Sequence, residues 1–364
     1  MTRLEALVSL NMVPGLGSVH LKKLLEFFGQ PQEILKNSYE RLTGVYGFSE
    51  AVARGICALK NKDLGKEFSC AKKLGLKILT LDDKEYPLNL KNIPGPPIVI
   101  YVKGRLKEED KFSLAIVGSR RASFYGLNCA QNFAADLSKC GLAIVSGMAR
   151  GIDSYAHKGA LKAGGRTIAV MGSGFKHIYP PENIELAEEI AGHGAVISEF
   201  PLDAEPLPQN FPRRNRLISG LSLGLLVVEA ARNSGALISA DFALEQGREV
   251  FALPGKVDSQ TSFGANELIK QGAKLVSCID DILEEFNLTF DKTAAEEKMP
   301  PGQRLNLNDA IEAKVCNLVS GEALHLDELA EKTNLDIPQI SDILLRLQMK
   351  RLVKELPGRQ FIRN

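Results

Sequence analysis

Between residues 98 and 286 eight apolar runs recur, IVIYV, LAIVG, LAIVSG, TIAVMG, AVISEF, LGLLVVEA, EVFALPG and KLVS, with amphipathic segments between most of them. Runs that are apolar at consecutive positions, rather than at alternate ones, belong to strands buried on both faces. That is the signature of a parallel sheet with helices on each side. The alternation predicts an α/β fold, a Rossmann-like, doubly wound, mainly parallel sheet over 98–286.

The flanks have another texture. Residues 1–63 read as short helices broken by glycines, in LNMVPGLGSVHLKKLLEFFG and LTGVYGFSEAVARGICAL, the pattern of a helix-hairpin-helix or SAM-like helical domain. Such a turn can aim backbone N–H groups at a DNA phosphate. With eight Lys/Arg against six Asp/Glu in this stretch, a docking bundle fits equally well. Residues 64–97 are expected to form a connector, with a helix near Leu64 to Leu74, a strand at Lys77 to Leu81, and a proline-rich end, IPGPP. Residues 287–304 have no apolar period and read as a linker. Over 305–364 three helices and a hairpin describe a winged helix. Residues 301–364 hold nine Lys/Arg and nine Asp/Glu, with six of the basic residues late, at Arg346, Lys350, Arg351, Lys354, Arg359 and Arg363. Contact with DNA and docking on protein both stay open there.

The formal net charge of the 364 residues is +1, so any nucleic-acid site must arise from local clustering rather than from the overall field. The six cysteines form no C-x-x-C pair, and the five histidines are isolated. Neither a zinc site nor a disulfide framework is expected, and no metal or cofactor. The N-terminus lacks a secretory pattern and no stretch approaches eighteen apolar residues, which points to a cytoplasmic protein with no membrane partner.

Ligands of open parallel sheets bind outside the carboxyl ends of the strands. Those positions read Gly118-Ser119-Arg120-Arg121, then SGMARGID at 146–153, then Gly172-Ser173-Gly174-Phe175-Lys176. Glycines there let backbone N–H groups approach an anion, and the basic side chains add charge-assisted contacts. FPRRNR places Arg213, Arg214 and Arg216 around Asn215 at a helix start, and Lys256 follows EVFALPG. A dinucleotide fingerprint is absent from the first turn, and so is a phosphate-binding G-x-x-x-x-G-K-S/T loop. Several cationic loops along one edge suit a ligand with phosphates in a row, for which single-stranded nucleic acid is the simplest case. Phe124, Phe175, Tyr179 and Phe211 are candidates to stack bases, although Tyr179 and Phe211 fit a core equally well. Arg121 ranks behind Arg120, since adjacent side chains diverge at such a turn. Asp153 reads as a helix N-cap, His157 as structural, and Glu199 and Glu229 as acids that hold the neighbouring arginines.

Six ordered motifs, GSRRASFYG, SGMARGIDSYAHKGAL, TIAVMGSGFKHIYPPEN, ISEFPLDAEPLPQNFPRRNRLISGLS, VVEAARNSGALISADFALEQGREVFALPG and GANELIKQGAKLV, closely resemble the DNA-processing protein A (DprA/Smf) family. The resemblance implies a non-enzymatic cytoplasmic protein that binds and protects single-stranded DNA, loads RecA recombinase on it during natural transformation, and acts as a homodimer. By motif it places DNA contacts at Gly118, Ser119, Arg120, Gly147, Arg150, Lys176, Arg213, Asn215 and Arg216, and a dimer face around Asn266 to Leu275. Lys256 is added to the DNA set from its position. The competing reading is a nucleotide-processing hydrolase of the phosphoribohydrolase type with Glu229 as its carboxylate. The stretch NSGALISAD lacks the second glycine and the glutamate of that family's P-G-G-x-G-T-x-x-E loop.

Overall fold

A computed structural model describes residues 1–45, 49–59, 65–286, 310–319, 323–349 and 352–363. The chain divides into two compact units, Met1–Lys292 and Thr293–Asn364.

In the first unit the apolar runs become β2 (Val99–Gly104), β3 (Ser113–Val117), β4 (Ala143–Gly147), β5 (Thr167–Val170), β6 (Ala195–Ser198), β7 (Gly224–Val227), β8 (Glu249–Ala252) and β9 (Lys274–Leu275), preceded by β1 (Lys77–Thr80). They form one sheet in the order β1-β2-β6-β5-β4-β3-β7-β8-β9. Every pair from β6 to β9 is parallel, whereas β1 and β2 run antiparallel at one edge. The run IVIYV is thus the antiparallel β2, because consecutive apolar residues report burial on two faces and not strand direction. The stretch expected as a connector supplies β1, paired with β2 from Lys77 to Thr80.

Helices α1 (Arg3–Asn11), α2 (Ser18–Phe28), α3 (Pro31–Lys36), α4 (Tyr39–Thr43) and α5 (Glu50–Ala58) precede the sheet, and α6 (Gly65–Lys73) and α7 (Leu88–Lys91) flank β1. Then α8 (Phe124–Lys139), α9 (Ile152–Lys162), α10 (Ile184–His193), α11 (Asn210–Leu221), α12 (Gly235–Glu245), α13 (Phe263–Lys270) and α14 (Asp280–Glu285) follow β3 to β9 in turn. Side chains alternate across β3. Leu114 and Ile116 pack with Ala130, Ala134 and Leu137 of α8 and Ile152 and Ala156 of α9. Ala115 and Val117 pack with Leu217 and Ile218 of α11 and Ala236 and Ala240 of α12. Each large aliphatic side chain so buried contributes about 1.5–3 kcal/mol. The chain winds from β3 to β6, returns through α11 to β7, and winds on to β9, so the switch of direction falls beside β3.

The N-terminal helices share one buried cluster with this sheet, in which Leu10, Leu24, Ile34 and Ile56 meet Tyr101 of β2 and Ile190 of α10. Two polar ties reinforce it. Ser18 Oγ donates to the Gly95 carbonyl at 2.8 Å, and Asn11 Nδ2 donates to the Glu199 carbonyl at 2.9 Å.

The second unit is a winged helix. Helices α15 (Ala310–Leu318), α16 (Leu326–Thr333) and α17 (Ile337–Met349) are joined by a sheet in the order β10 (Leu324–His325), β12 (Gln360–Arg363), β11 (Val353–Leu356). Val315, Leu329, Ile340, Leu344 and Phe361 fill its core. Arg346 is engaged with Asp342 and with buried Glu312. The expected linker, 287–304, and Lys350 and Arg351 lie outside the described residues.

Candidate functional site

The loops after β3, β4 and β5 and the first turn of α11 meet over the carboxyl ends of the central strands. They enclose a pocket of about 240 Å³ lined by Arg120, Arg121, Arg150, Tyr179, Phe211 and Arg214, with Ala149 and Gly172 among the smaller residues. The loop conformation is fixed by the backbone. Gly151 adopts φ +76°, and a side-chain carbon there would collide with the Ser119 carbonyl, so α9 begins directly against the β3 loop. Ile152 N–H donates to that carbonyl at 3.3 Å, and Ser119 N–H donates to the Glu229 carbonyl at 2.7 Å. Ser119 Oγ in turn accepts from Arg121 N–H at 3.1 Å.

Held this way, Arg120 lies over the Phe211 ring with Cζ 5.2 Å from the centroid. Tyr179 is 5.9 Å from Phe211 at 59°. The rings and cations therefore form one surface. Arg121 lines the pocket together with Arg120 despite its lower rank in the sequence. Arg150 pairs with Glu182 at the rim; both side chains are about half exposed, and such a pair is worth little and exchanges readily for another anion.

Beneath this surface the charges are buried. Arg214, 4% exposed, donates through Nη1 to the Val170 carbonyl at 2.5 Å and through Nε to Asn215 Oδ1 at 3.2 Å. Burial pulls its guanidinium down to about 10, against the support of Asp153. Asp153 stands in the first turn of α9, whose N-cap is Gly151, so the sequence expectation of an N-cap is not met. Its carboxylate accepts from Ala149 N–H at 3.4 Å, and burial pushes it up to about 6 even though Arg214 draws it the other way. A side-chain carbon at Gly147 would collide with Arg214 Nη1 and come 2.5 Å from Asp153 Oδ2, so glycine is what allows the two charges to approach. His157 is buried and burial lowers it to about 4, so the neutral ring donates from Nε2 to the Gly147 carbonyl at 2.7 Å.

The remaining residues expected at the site face elsewhere. Arg216 is tied inward, to Glu199 and, at 2.9 Å, to the Gly95 carbonyl. Arg213 pairs with the same Glu199 at 3.2 Å and lies over Phe200. Asn215 donates to the Gly235 carbonyl at 3.1 Å, linking α11 to α12. Lys176 reaches Asp203 at 2.8 Å, and Gly118 lies beneath Ile152 and the Glu229 carbonyl. Lys256 is exposed in the loop after β8 and does not line the pocket. Glu199 holds two arginines as expected. Glu229 does not: its oxygens accept from Ser123 N–H at 2.8 Å and Ser123 Oγ at 2.5 Å, fixing the N-cap of α8. Phe175 is core. Asn266 bonds both ways to the Gly255 backbone at 3.0 Å, while Leu275 is 48% exposed on the edge strand β9. The buried Asp153–Arg214 arrangement was not legible in the motifs, and its one signal was an acid on a helix that starts at the carboxyl edge of the sheet.

Among the described residues no helix is long and apolar enough to cross a membrane, and no three metal-ligating side chains gather.

Comparison with known proteins places this architecture. The chain is 42% identical over 284 residues to Protein Smf of Escherichia coli (strain K12), covering 77% of this chain and 76% of that one. The solved structure of DNA processing protein A from Streptococcus pneumoniae matches with a TM-score of 0.68 and 35% identity, over 80% of this chain and 99% of that one. A structure of DNA processing protein A from Helicobacter pylori, described as giving insight into a unique single-stranded DNA binding mode, matches with a TM-score of 0.53 and 30% identity, over 59% and 98% of the two chains. The DprA winged helix domain model covers residues 294–359 and the DNA recombination-mediator protein A model residues 77–287, more than half of the sequence. The chain belongs to the DNA recombination-mediator protein A family, DprA.

Proposed function

We propose that this protein grips single-stranded DNA along the carboxyl edge of its sheet, protects it, and loads RecA recombinase on it during transformation or recombination. The observation that carries the reading is the convergence of Arg120, Arg121 and Arg150 with the Tyr179 and Phe211 rings, at the N-terminal ends of α9 and α11. Phosphates meet cations and helix dipoles there, and bases meet π-faces, with few groups arranged to read base edges. Gly118, Ser119 and Gly147 shape the backbone of this surface, Arg213, Asn215 and Arg216 brace it from behind, and Lys176 and Lys256 lie off the pocket lining and add little to the grip.

Binding is favoured over catalysis because Glu229, the carboxylate a phosphoribohydrolase would need, has both oxygens committed to the α8 cap. The protein works in the cytoplasm as a homodimer, for which exposed Leu275, Phe263 and Val257 around β9 and α13 offer an apolar face. The test is fluorescence anisotropy with a labelled thymidine oligomer across a salt series. Affinity is expected to fall steeply with salt, and Arg120→Glu with Arg150→Glu to lower it about tenfold or more with the melting temperature unchanged. Unchanged affinity in that double variant overturns the reading.

A further inference from the structure

A buried carboxylate sits under the pocket and makes none of the proposed phosphate contacts. Asp153 Oδ2 and Arg214 Nη1 both fill the space that a side-chain carbon at Gly147 would need, one from α9 and the other from α11. Arg214 is itself part of the pocket lining and lies with Cζ 5.9 Å from the Phe211 ring centroid. The groups acting on Asp153 come from each neighbouring element: Arg214 from α11, Arg120 from the β3 loop, the Ser146 hydroxyl from β4 and the Ala149 N–H from the β4 loop. His157, one turn further along α9, is bonded to the Gly147 carbonyl.

We infer that Asp153 is a positioning residue of the DNA pocket, which offsets the charge of Arg214 when ionised and takes up a proton when a phosphate chain enters. The inference rests on the DNA reading above. With Asp153 ionised, the floor of the pocket is an internally neutral pair and the guanidinium is held below Phe211. A polyanion arriving above it raises the cost of a second negative charge beneath. A proton then passes from solvent to the carboxyl oxygen, and the pocket gains one net positive charge. Linkage requires the converse: acidification strengthens DNA binding. Asp153, pushed up by burial to about 6, titrates near neutrality, while His157, held at about 4, stays uncharged across that range.

The experiment measures affinity of the full chain for a thymidine oligomer from about pH 7.5 to about pH 5.5, with Asp153→Asn beside the native protein. Native affinity is expected to rise about fivefold or more as pH falls, whereas the isosteric variant binds at least as tightly as the native protein does in acid and shows a flat profile. Calorimetry near pH 6.5 in buffers of different ionisation enthalpy is expected to report proton uptake on binding in the native protein and none in the variant. The carboxyl carbon resonance of Asp153, followed in the free native protein, supplies the raised titration without any variant. Parallel pH slopes in the two proteins, binding without proton uptake, or a resonance that titrates in the ordinary aspartate range overturns the inference while leaving the DNA reading intact. A native protein that fails to bind the oligomer at every pH overturns the DNA reading itself.

Discussion

The first turns of α11 and the loops after β3 and β4 each supply three arginines, and the fold puts them to opposite uses. On α11, Arg213 and Arg216 converge on Glu199, which is 2% exposed, and Arg214 faces buried Asp153. On the loops, Arg120 rests on an aromatic ring, Arg121 is exposed, and Arg150 holds a surface acid. A dense basic motif is therefore not the same as available charge. The helix turns its cations into a brace for the pocket, and the loops leave theirs lining it.

The sharpest way to break this division is to remove Arg216. Arg216→Ala strands Glu199 with a single, partly exposed partner, and truncating one side of a buried pair costs about 3–5 kcal/mol. A large fall in the midpoint of chemical denaturation is expected, with DNA affinity lost only as a consequence; a stable variant with weakened DNA binding would move Arg216 to the ligand side. Phe211→Ala removes both the stacking surface and the platform under Arg120, and oligomer binding is expected to weaken by about 1–3 kcal/mol with little change in salt dependence. Lys176→Ala, by contrast, removes a cation already engaged with Asp203 and away from the pocket lining, and affinity is expected to stay within about twofold.

The finest distinction concerns stability against pH. Asp153 is raised on folding, so its contribution is favourable in acid and fades as pH climbs through about 6. His157 is depressed, so its contribution is favourable above the unfolded histidine value and fades as pH falls toward about 4. The two oppose each other, and Asp153→Asn is expected to steepen the loss of thermal stability on mild acidification. Equal slopes in both proteins would show that the acid does not titrate in this range.

The strands were legible because burial on two faces leaves an unbroken apolar run, and the loops because strand ends in such sheets face the ligand. Direction was not legible: IVIYV reads the same whether it lies parallel or, as here, antiparallel to β6. Nor was the aim of a side chain. Arg214 and Arg216 share one motif with Asn215, yet the turn of the helix sends the first to Asp153 and the Val170 carbonyl and the second to Glu199 and Gly95. Asp153 looked like a cap because its place in sequence shows a helix start, while the depth of that start depends on how α9 is pulled against Ser119 by Gly151.

The carbonyl of Gly95 accepts from Ser18 of α2 and from Arg216 of α11 at once. A shared acceptor couples the two helices through the backbone at Gly95, since a displacement of that carbonyl weakens both anchors at once. Their slowest amides should therefore exchange with solvent at a common rate, as one cooperative unit. A ligand that slows exchange in α11 should slow it in α2, giving the N-terminal helices a stake in occupancy without touching the ligand.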